Sequence, residues 1–489
     1  MVERRVGVGI AAGCVAIGAL ALAIRLPGAL HNAFWHDEVY SARVIVAHSP
    51  VAAVRQVERT ESTPPGWYLL GWLLHHAGLR VAYVRVASAV AGALTAAAVV
   101  LLARRFMPLW AAMFAGLMTA VGYEFVYQGQ QLRCYALLVL VAVLTVLALL
   151  RAAERPTIAR LALVALAVAV GVYTHYFYGL VVIACLIWLV TSTAGTVRRR
   201  LGVSVLIGTA AVLPWVPAFL DQHARASYRF GIGHFRPGIV LSSYGKMFFA
   251  TIPGSGTQLR TVTVVGLLAA VLGGAVLLWR HGPDGRLCAL VATFPVVVSA
   301  CLWWAGQPIF NVRNVLEAGP FAAVCVAAAF ARLGRYAGPA AAVLAVVLLV
   351  PGVVRADLDR SPIPFDSIAA ALRSEGWTQS DPMLTPTGMN WLVPLRWYLN
   401  VDAGGSAATT SEQPCNALFV ITAGRFPASR VVGAPASASI PHRAAGHYLI
   451  LRIPRGVPIL DVPKHNRAVN VQCTITGLPR GVAGRLGLK

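Results

Sequence analysis

The chain has 489 residues, of which 58% are hydrophobic and 12% charged, about half the charged share of a soluble domain. Its 41 Lys and Arg outnumber 18 Asp and Glu, giving a net charge of +23. That excess does not point to nucleic acid, because the arginines fall in short connections between apolar runs. With a mean hydropathy of +0.69, the composition excludes an ordinary soluble enzyme and fits a mostly α, polytopic membrane protein.

Residues 1–29 are signal-like, with Glu3, Arg4 and Arg5 ahead of an apolar run. The run is long enough to span, and RLPGALHNAF is a poor cleavage site, so a retained first helix is expected. Residues 30–83 form a long loop. Segments 38–57 and 65–79 mix aromatic, apolar and charged residues and predict short helices at the membrane surface. Thr63-Pro64-Pro65-Gly66 separates them as a turn. Further apolar runs follow at 84–102, 108–124, 134–150, 158–174, 176–193, 201–219, 261–279, 287–306, 314–332 and 337–354. With residues 7–29 they predict about eleven transmembrane helices.

Charge orients them. Arg4/Arg5, Arg104/Arg105, Arg151/Arg155/Arg160, Arg198/Arg199/Arg200, Arg280/Arg286 and Arg332/Arg335 fall in alternate connections. Arginine-rich short loops lie in the cytoplasm. The N-terminus is therefore expected inside, and residues 30–83, 125–133, 174–176, 220–260, 307–313 and everything beyond 354 outside. After 354 the composition turns polar. FDSIAAALRSEG and NWLVPLRWYLN read as helices, and PMLTPT, NALFVITA and HYLILRI as strands. Two domains are expected: a transmembrane one over 1–355 and a small exterior α/β one over 356–489, in a multi-pass protein of the plasma (inner) membrane.

There are eight cysteines and no CxxC pair. Six lie in or beside apolar runs, where Cys acts as a small hydrophobe. Cys415 and Cys473 alone lie in the polar C-terminal region. An exterior compartment permits a disulfide between them. It would close a loop of about 58 residues and contribute roughly 4 kcal/mol. Two separate thiols is the competing reading.

Four stretches carry chemistry. In FWHDEVYSAR, His36, Asp37 and Glu38 stand between Trp35 and Tyr40 where the first apolar run ends. An interfacial acidic pair can simply keep a loop wet. A carboxylate at the mouth of a helix bundle can also act as general base toward a hydroxyl. In YEFVYQGQQLRCYALL, Arg133 opens a span, with Glu124 and Gln131 on the same side. Its partner is a lipid headgroup phosphate or a substrate phosphate. In YTHYFYG, His175 lies between two spans among aromatic residues. An aromatic belt accounts for the rings without accounting for His175. In FNVRNVLEAGP, Arg313 enters a span with Glu317 four residues later, which predicts either an i,i+4 ion pair or a phosphate contact. No P-loop, GxGxxG or HExxH occurs. No motif calls for a cofactor or a metal, although a divalent ion is compatible.

WHDEVYSAR, TPPGWYLLGWLLHHAG, QLRCYALL and YTHYFYG, in this order, resemble bacterial members of the dolichyl-phosphate-mannose-protein mannosyltransferase-like family, glycosyltransferase family 39 and its relatives, with the GT-C fold. VRNVLEAGP is similar to a later arginine motif, and the likeness covers about residues 1–355. It implies a membrane enzyme using a polyprenyl-phosphate-linked sugar. Asp37 matches the family's base, with Glu38 beside it. Arg133, Arg313, His175 and Tyr135 would meet the donor phosphate. His36, Trp67, Tyr68, Glu124 and Gln131 would line the sugar and acceptor pocket. Gln131 stands where relatives often carry an acid, and Thr63-Pro64-Pro65 where His-Pro-Pro is typical. Both leave the sugar open: mannose first, a pentofuranose such as arabinose second. The acceptor would be a glycan, a glycolipid or a protein, with membrane lipids as further partners and no nucleic acid.

Two other classes compete. A transporter or flippase of lipid-linked substrates also carries intramembrane charge, but usually at the midplane of repeated, broken helices. A non-catalytic scaffold would tolerate loss of Asp37.

Overall fold

The computed structural model describes residues 2–225, 232–249, 257–360, 363–378, 381–386, 389–400, 417–423, 428–432, 440–445, 448–455, 457–463 and 466–469. Cys415 and Cys473, and the bond expected between them, lie outside these residues. Contacts divide the chain into two compact units: Met1–His31 with Ser41–Arg360, and Asn32–Tyr40 with Ser361–Lys489.

The first unit is a helical bundle. Among the described residues, eight helical stretches are long and apolar enough to cross a membrane: Gly9–His31, Val81–Ala103, Tyr135–Glu154, Gly195–Arg225, Thr261–His281, Pro283–Trp304, Val312–Phe330 and Ala337–Ala356. Leu109–Val121, Ile158–Thr174 and Tyr178–Ser192 are shorter apolar helices. Together these are the eleven expected runs, and the chain is a multi-pass membrane protein. Tyr135–Glu154 and Val312–Phe330 are 78% buried in their most apolar windows, whereas Gly9–His31, Thr261–His281 and Ala337–Ala356 are 22% buried. The first two are therefore inner helices. The other three turn most of their apolar surface outward, as lipid contact requires.

Small residues let the inner helices touch. A Cβ on Gly274 would lie 1.8 Å from the Cys325 carbonyl oxygen, so the Thr257–His281 and Gly319–Phe330 helices meet backbone to backbone. Arg25 is completely buried in the first helix. Its guanidinium donates to the carbonyls of Ala21 and Ala120 (2.9 Å each) and Thr119 (3.3 Å), tying the first helix to Leu109–Val121.

Between the first two spans, the segment 38–57 expected to be helical holds two short helices, His36–Ile45 and Pro50–Thr60. Pro50 cannot continue a helix, but it suits the first position of the next. Ser49 caps that helix by accepting from the Ala52 N–H at 3.1 Å. Gly66–His76 follows the Thr63–Gly66 turn as expected. The Arg313–Glu317 pair is different. Residues Val312–Ala318 form a 3-10 helix with a non-helical Val315 (φ −117°, ψ 18°). At three residues per turn, side chains four apart point in different directions. Glu317 is fully buried, and neither carboxylate oxygen has a hydrogen-bond partner among the described residues.

The second unit holds a mixed sheet. Strands β1 (Met383–Pro386), β2 (Ala417–Ala423), β3 (His442–Ala445), β4 (Tyr448–Pro454) and β5 (Asn466–Val469) lie in the order β3-β4-β2-β1-β5. Among the described residues, only β1 and β2 are parallel, pairing Met383 with Phe419. Alternation along β2 serves two cores. Phe419 and Ile421 face the helices Phe365–Ser374 and Met389–Leu399, and Leu418 and Val420 pack with Val431, Ile440 and Ile459. PMLTPT, NALFVITA and HYLILRI are strands as expected, while β3 and β5 have too few apolar residues to stand out in sequence.

Residues 32–40 join this unit. Ala33 lies in the core with Ile368 and Trp391. The Phe34 N–H donates to the Tyr398 hydroxyl at 2.6 Å, and the Phe34 ring lies 6.3 Å from that of Trp397.

Candidate functional site

Two groups of polar side chains stand out, one in each unit. In the second unit, Trp35 precedes the His36–Ile45 helix, so His36, Asp37 and Glu38 are its first three residues. Glu38 is 1% exposed. Its Oε2 accepts from the Trp35 N–H at 3.3 Å, the return half of a capping box. Asp37 is positioned differently. Its side chain is 24% exposed, and its Oδ1 accepts from His36 Nδ1 at 3.1 Å. The His36 ring packs edge-on to Tyr40 at 5.2 Å. Of the two acids, Glu38 is engaged in holding the helix start and Asp37 is the more open to solvent.

In the first unit, the loop between the first two spans delivers a network to Arg133. A Cβ at Gly66 would come within 2.5 Å of the Tyr173 carbonyl oxygen, so the turn at 63–66 packs directly on the end of the Ile158–Thr174 helix. That contact brings Glu61, Thr63, Trp67 and Tyr68 inward. Trp67 and Tyr68 are buried. The Tyr68 hydroxyl donates to Glu61 Oε2 at 2.7 Å and lies 2.9 Å from Thr63 Oγ1. Since Tyr68 gives its one proton to the carboxylate, Thr63 donates to Tyr68. Burial, reinforced by Glu61, pushes the Tyr68 phenol well above its usual value, against the pull of Arg133, so it stays a donor. Arg133 Nη1 contacts Glu61 Oε2 at 3.3 Å and donates to Ser41 Oγ at 3.1 Å. The Arg133 and Glu61 side chains are 9% and 5% exposed. The turn before Arg133 is fixed by Ser88, whose hydroxyl donates to the Gln131 carbonyl at 2.6 Å. Gln131 is buried, and its amide nitrogen has no hydrogen-bond partner among the described residues.

A second arginine approaches the same group. Asn311 caps the 3-10 helix by accepting from the Arg313 N–H at 3.2 Å. The Arg313 guanidinium lies 5.8 Å from the centre of the Tyr135 ring, a cation–π distance. The Tyr135 ring is 5.4 Å from that of His175, which is 5.7 Å from Phe177. His175 Nδ1 accepts from the Phe177 N–H at 3.2 Å, so the ring proton sits on Nε2. Burial, then the charges of Arg133 and Arg313, push the His175 pKa down to about 3. His175 is therefore a neutral N–H donor held beside two cations. Glu124 accepts from Gln128 Nε2 at 2.8 Å. Burial raises its carboxyl pKa, against the Gln128 hydrogen bond and the field of Arg313.

The structure thus gathers Arg133, Arg313, Tyr135 and His175, with Tyr68 behind Arg133 and Glu124 in the field of Arg313. His36, Asp37 and Glu38 form their own group in the other unit. Trp67 is buried in the wall, its indole N–H without a hydrogen-bond partner among the described residues. Sequence reasoning passed over Glu61 and Ser41, and took Thr63 only as part of a turn and as a departure from His-Pro-Pro. Glu61 had one signal: it is one of four acids between residues 30 and 83, two positions before Thr63-Pro64-Pro65.

The family model for dolichyl-phosphate-mannose-protein mannosyltransferase matches residues 62–218, a stretch that includes Arg133, Tyr135 and His175. No curated protein matches the chain. Among solved structures, ArnT from Cupriavidus metallidurans bound to undecaprenyl phosphate is similar at a TM-score of 0.55 and 12% identity, over 91% of this chain and 98% of that one. The apo oligosaccharyltransferase of Archaeoglobus fulgidus is similar at 0.50 and 12%, over 94% and 75%. The arabinofuranosyltransferase AftD from Mycobacteria is similar at 0.50 and 14%, over 91% of this chain and 40% of that one. At such identities the likeness is one of fold, and the fold is GT-C-like.

Proposed function

We infer that this chain, a membrane glycosyltransferase of the GT-C type, moves a sugar from a polyprenyl-phosphate donor to an acceptor hydroxyl on the exterior face. Asp37 is the general base, and Arg133 and Arg313 meet the donor phosphate. The acceptor O–H gives its proton to the Asp37 carboxylate as its oxygen bonds to the anomeric carbon. The bond from that carbon to the phosphate oxygen breaks, and the lipid phosphate leaves with the electron pair. The charge that develops on it calls for fixed cations and N–H donors.

One observation carries this reading: two arginines from distant parts of the chain, Arg133 and Arg313, converge on Tyr135 and a neutral His175. Glu61 offsets only one of these two charges, and a guanidinium fork suits phosphate oxygens. The undecaprenyl phosphate of the ArnT structure supports a lipid phosphate as that anion. The exterior face follows from the arginine pattern of the loops. Mannose is the first choice of sugar, in line with the matching family model. A pentofuranose is the second, in line with the AftD likeness.

The test is transfer in membrane vesicles from polyprenyl-phosphate donors carrying labelled mannose or arabinose. Arg133→Ala should lower turnover per donor by about 100-fold. Arg133→Lys should lose much less, keeping the charge without the fork. Turnover by Arg133→Ala equal to wild type would remove the phosphate from this group.

A further inference from the structure

We infer that Glu61 is a positioning residue for Arg133, aiming its guanidinium at the donor phosphate; this rests on the reading that Arg133 binds that phosphate. Hydrogen bonds from two sides meet at the Glu61 carboxylate. Thr63 donates to Tyr68, Tyr68 donates to Glu61 Oε2, and Arg133 Nη1 reaches the same oxygen while donating to Ser41. A guanidinium is planar and rigid, so fixing Nη1 between Glu61 and Ser41 leaves its plane little freedom. Three features favour a positioning role over simple stabilisation.

First, the pair is almost wholly buried, at 5% and 9% side-chain exposure. Replacing such a pair by apolar residues is often neutral for stability, so its presence needs another reason. Second, the carboxylate comes from the loop between the first two spans, at the end of the Pro50–Thr60 helix, rather than from Arg133's own neighbourhood. Its place depends on the turn that Gly66 presses against Tyr173. Third, Glu61 offsets one of two neighbouring positive charges. Arg133 can then keep its place near Arg313 before the phosphate binds.

The test uses the purified full-length chain and undecaprenyl phosphate as the probe, with melting temperature measured beside binding. Glu61→Gln should weaken binding about tenfold, and Tyr68→Phe, which removes only the hydroxyl donor, about threefold. Glu61→Asp should recover part of the loss. In an Arg133→Ala background, Glu61→Gln should add nothing, because residues acting through one another are non-additive. An equal Glu61→Gln effect in both backgrounds, or binding as tight as wild type, overturns the inference. If Glu61→Gln does not fold, Tyr68→Phe alone and combined with Arg133→Ala decides by the same criterion. Arg133→Ala binding like wild type would instead sink the phosphate reading and this inference together. Weak binding by Arg133→Ala with unchanged Glu61→Gln sinks only the role of Glu61.

Discussion

His175 is an imidazole kept from its usual charge. In an unfolded chain it would take up a proton near 6.5, whereas here burial and two arginines hold its pKa near 3. Between those values the unfolded state binds more protons, so stability falls as pH drops from about 6.5 toward 3 and is untouched above that window. His175→Phe should flatten that acid limb of the melting temperature against pH in detergent. An unchanged limb would mean that His175 already titrates normally. Asp37 and Glu38 divide in the same local way. Glu38 closes the helix start and Asp37 is the more exposed, so Asp37→Asn should cost transfer about 100-fold or more, with expression intact and Glu38→Gln milder. Near-wild-type transfer by Asp37→Asn would make another group the base. The acidic pair is legible in sequence because it interrupts apolar chain. Glu61 is not, since its meaning comes from a chain reversal that brings residue 61 to residue 133.

Among the elements, the helices were the most legible part. A run of about twenty apolar residues has few alternatives to a helix in lipid, and the same eleven segments appear in the structure. Breaks inside the loops were less legible. Ser49-Pro50 carries both a cap and a helix start, inside a segment whose apolar pattern runs on at either side. The 3-10 geometry of Val312–Ala318 was hidden, because spacing four suggests an ion pair only if the helix is α. Helix contact distances were hidden as well, and one pair of glycines tests them. Gly274→Ala would drive a methyl into the Cys325 carbonyl and should destabilise the bundle by about 1–3 kcal/mol. At Gly273 a Cβ meets nothing within 4 Å, so Gly273→Ala should be neutral or slightly stabilising. Equal melting temperatures for the two variants would contradict the close packing.

At the level of the whole molecule, the chain enters the second unit early, leaves it, and returns after residue 360. Sequence reading put the polar tail apart from everything before it, because composition changes there. It could not show that nine residues from the first loop fold with that tail, since Ala33 and Phe34 look like any apolar pair. Tyr398→Ala should therefore lower transfer through the segment that carries Asp37, while undecaprenyl phosphate binding stays near wild type. Loss of both in a folded protein would argue against separate roles for the two groups. The Cys415–Cys473 bond is a further expectation for the tail, and thiol labelling of both cysteines in oxidised, intact cells would rule it out.

The hydrogen bond from Phe34 to Tyr398 joins residues 364 positions apart, and this sets a clock on biogenesis. A ribosome adding about 5–20 residues per second needs about 20–70 s to pass from one partner to the other. Arg133 and Arg313 are both made within that interval and their helices can insert, while the segment bearing Asp37 waits for a surface that has not yet been translated. The partner of Phe34 is thus made only in the last quarter of synthesis. On the proposed assignments, a ribosome stalled between residues 313 and 398 would leave in the membrane a nascent chain able to hold a lipid phosphate and unable to use it.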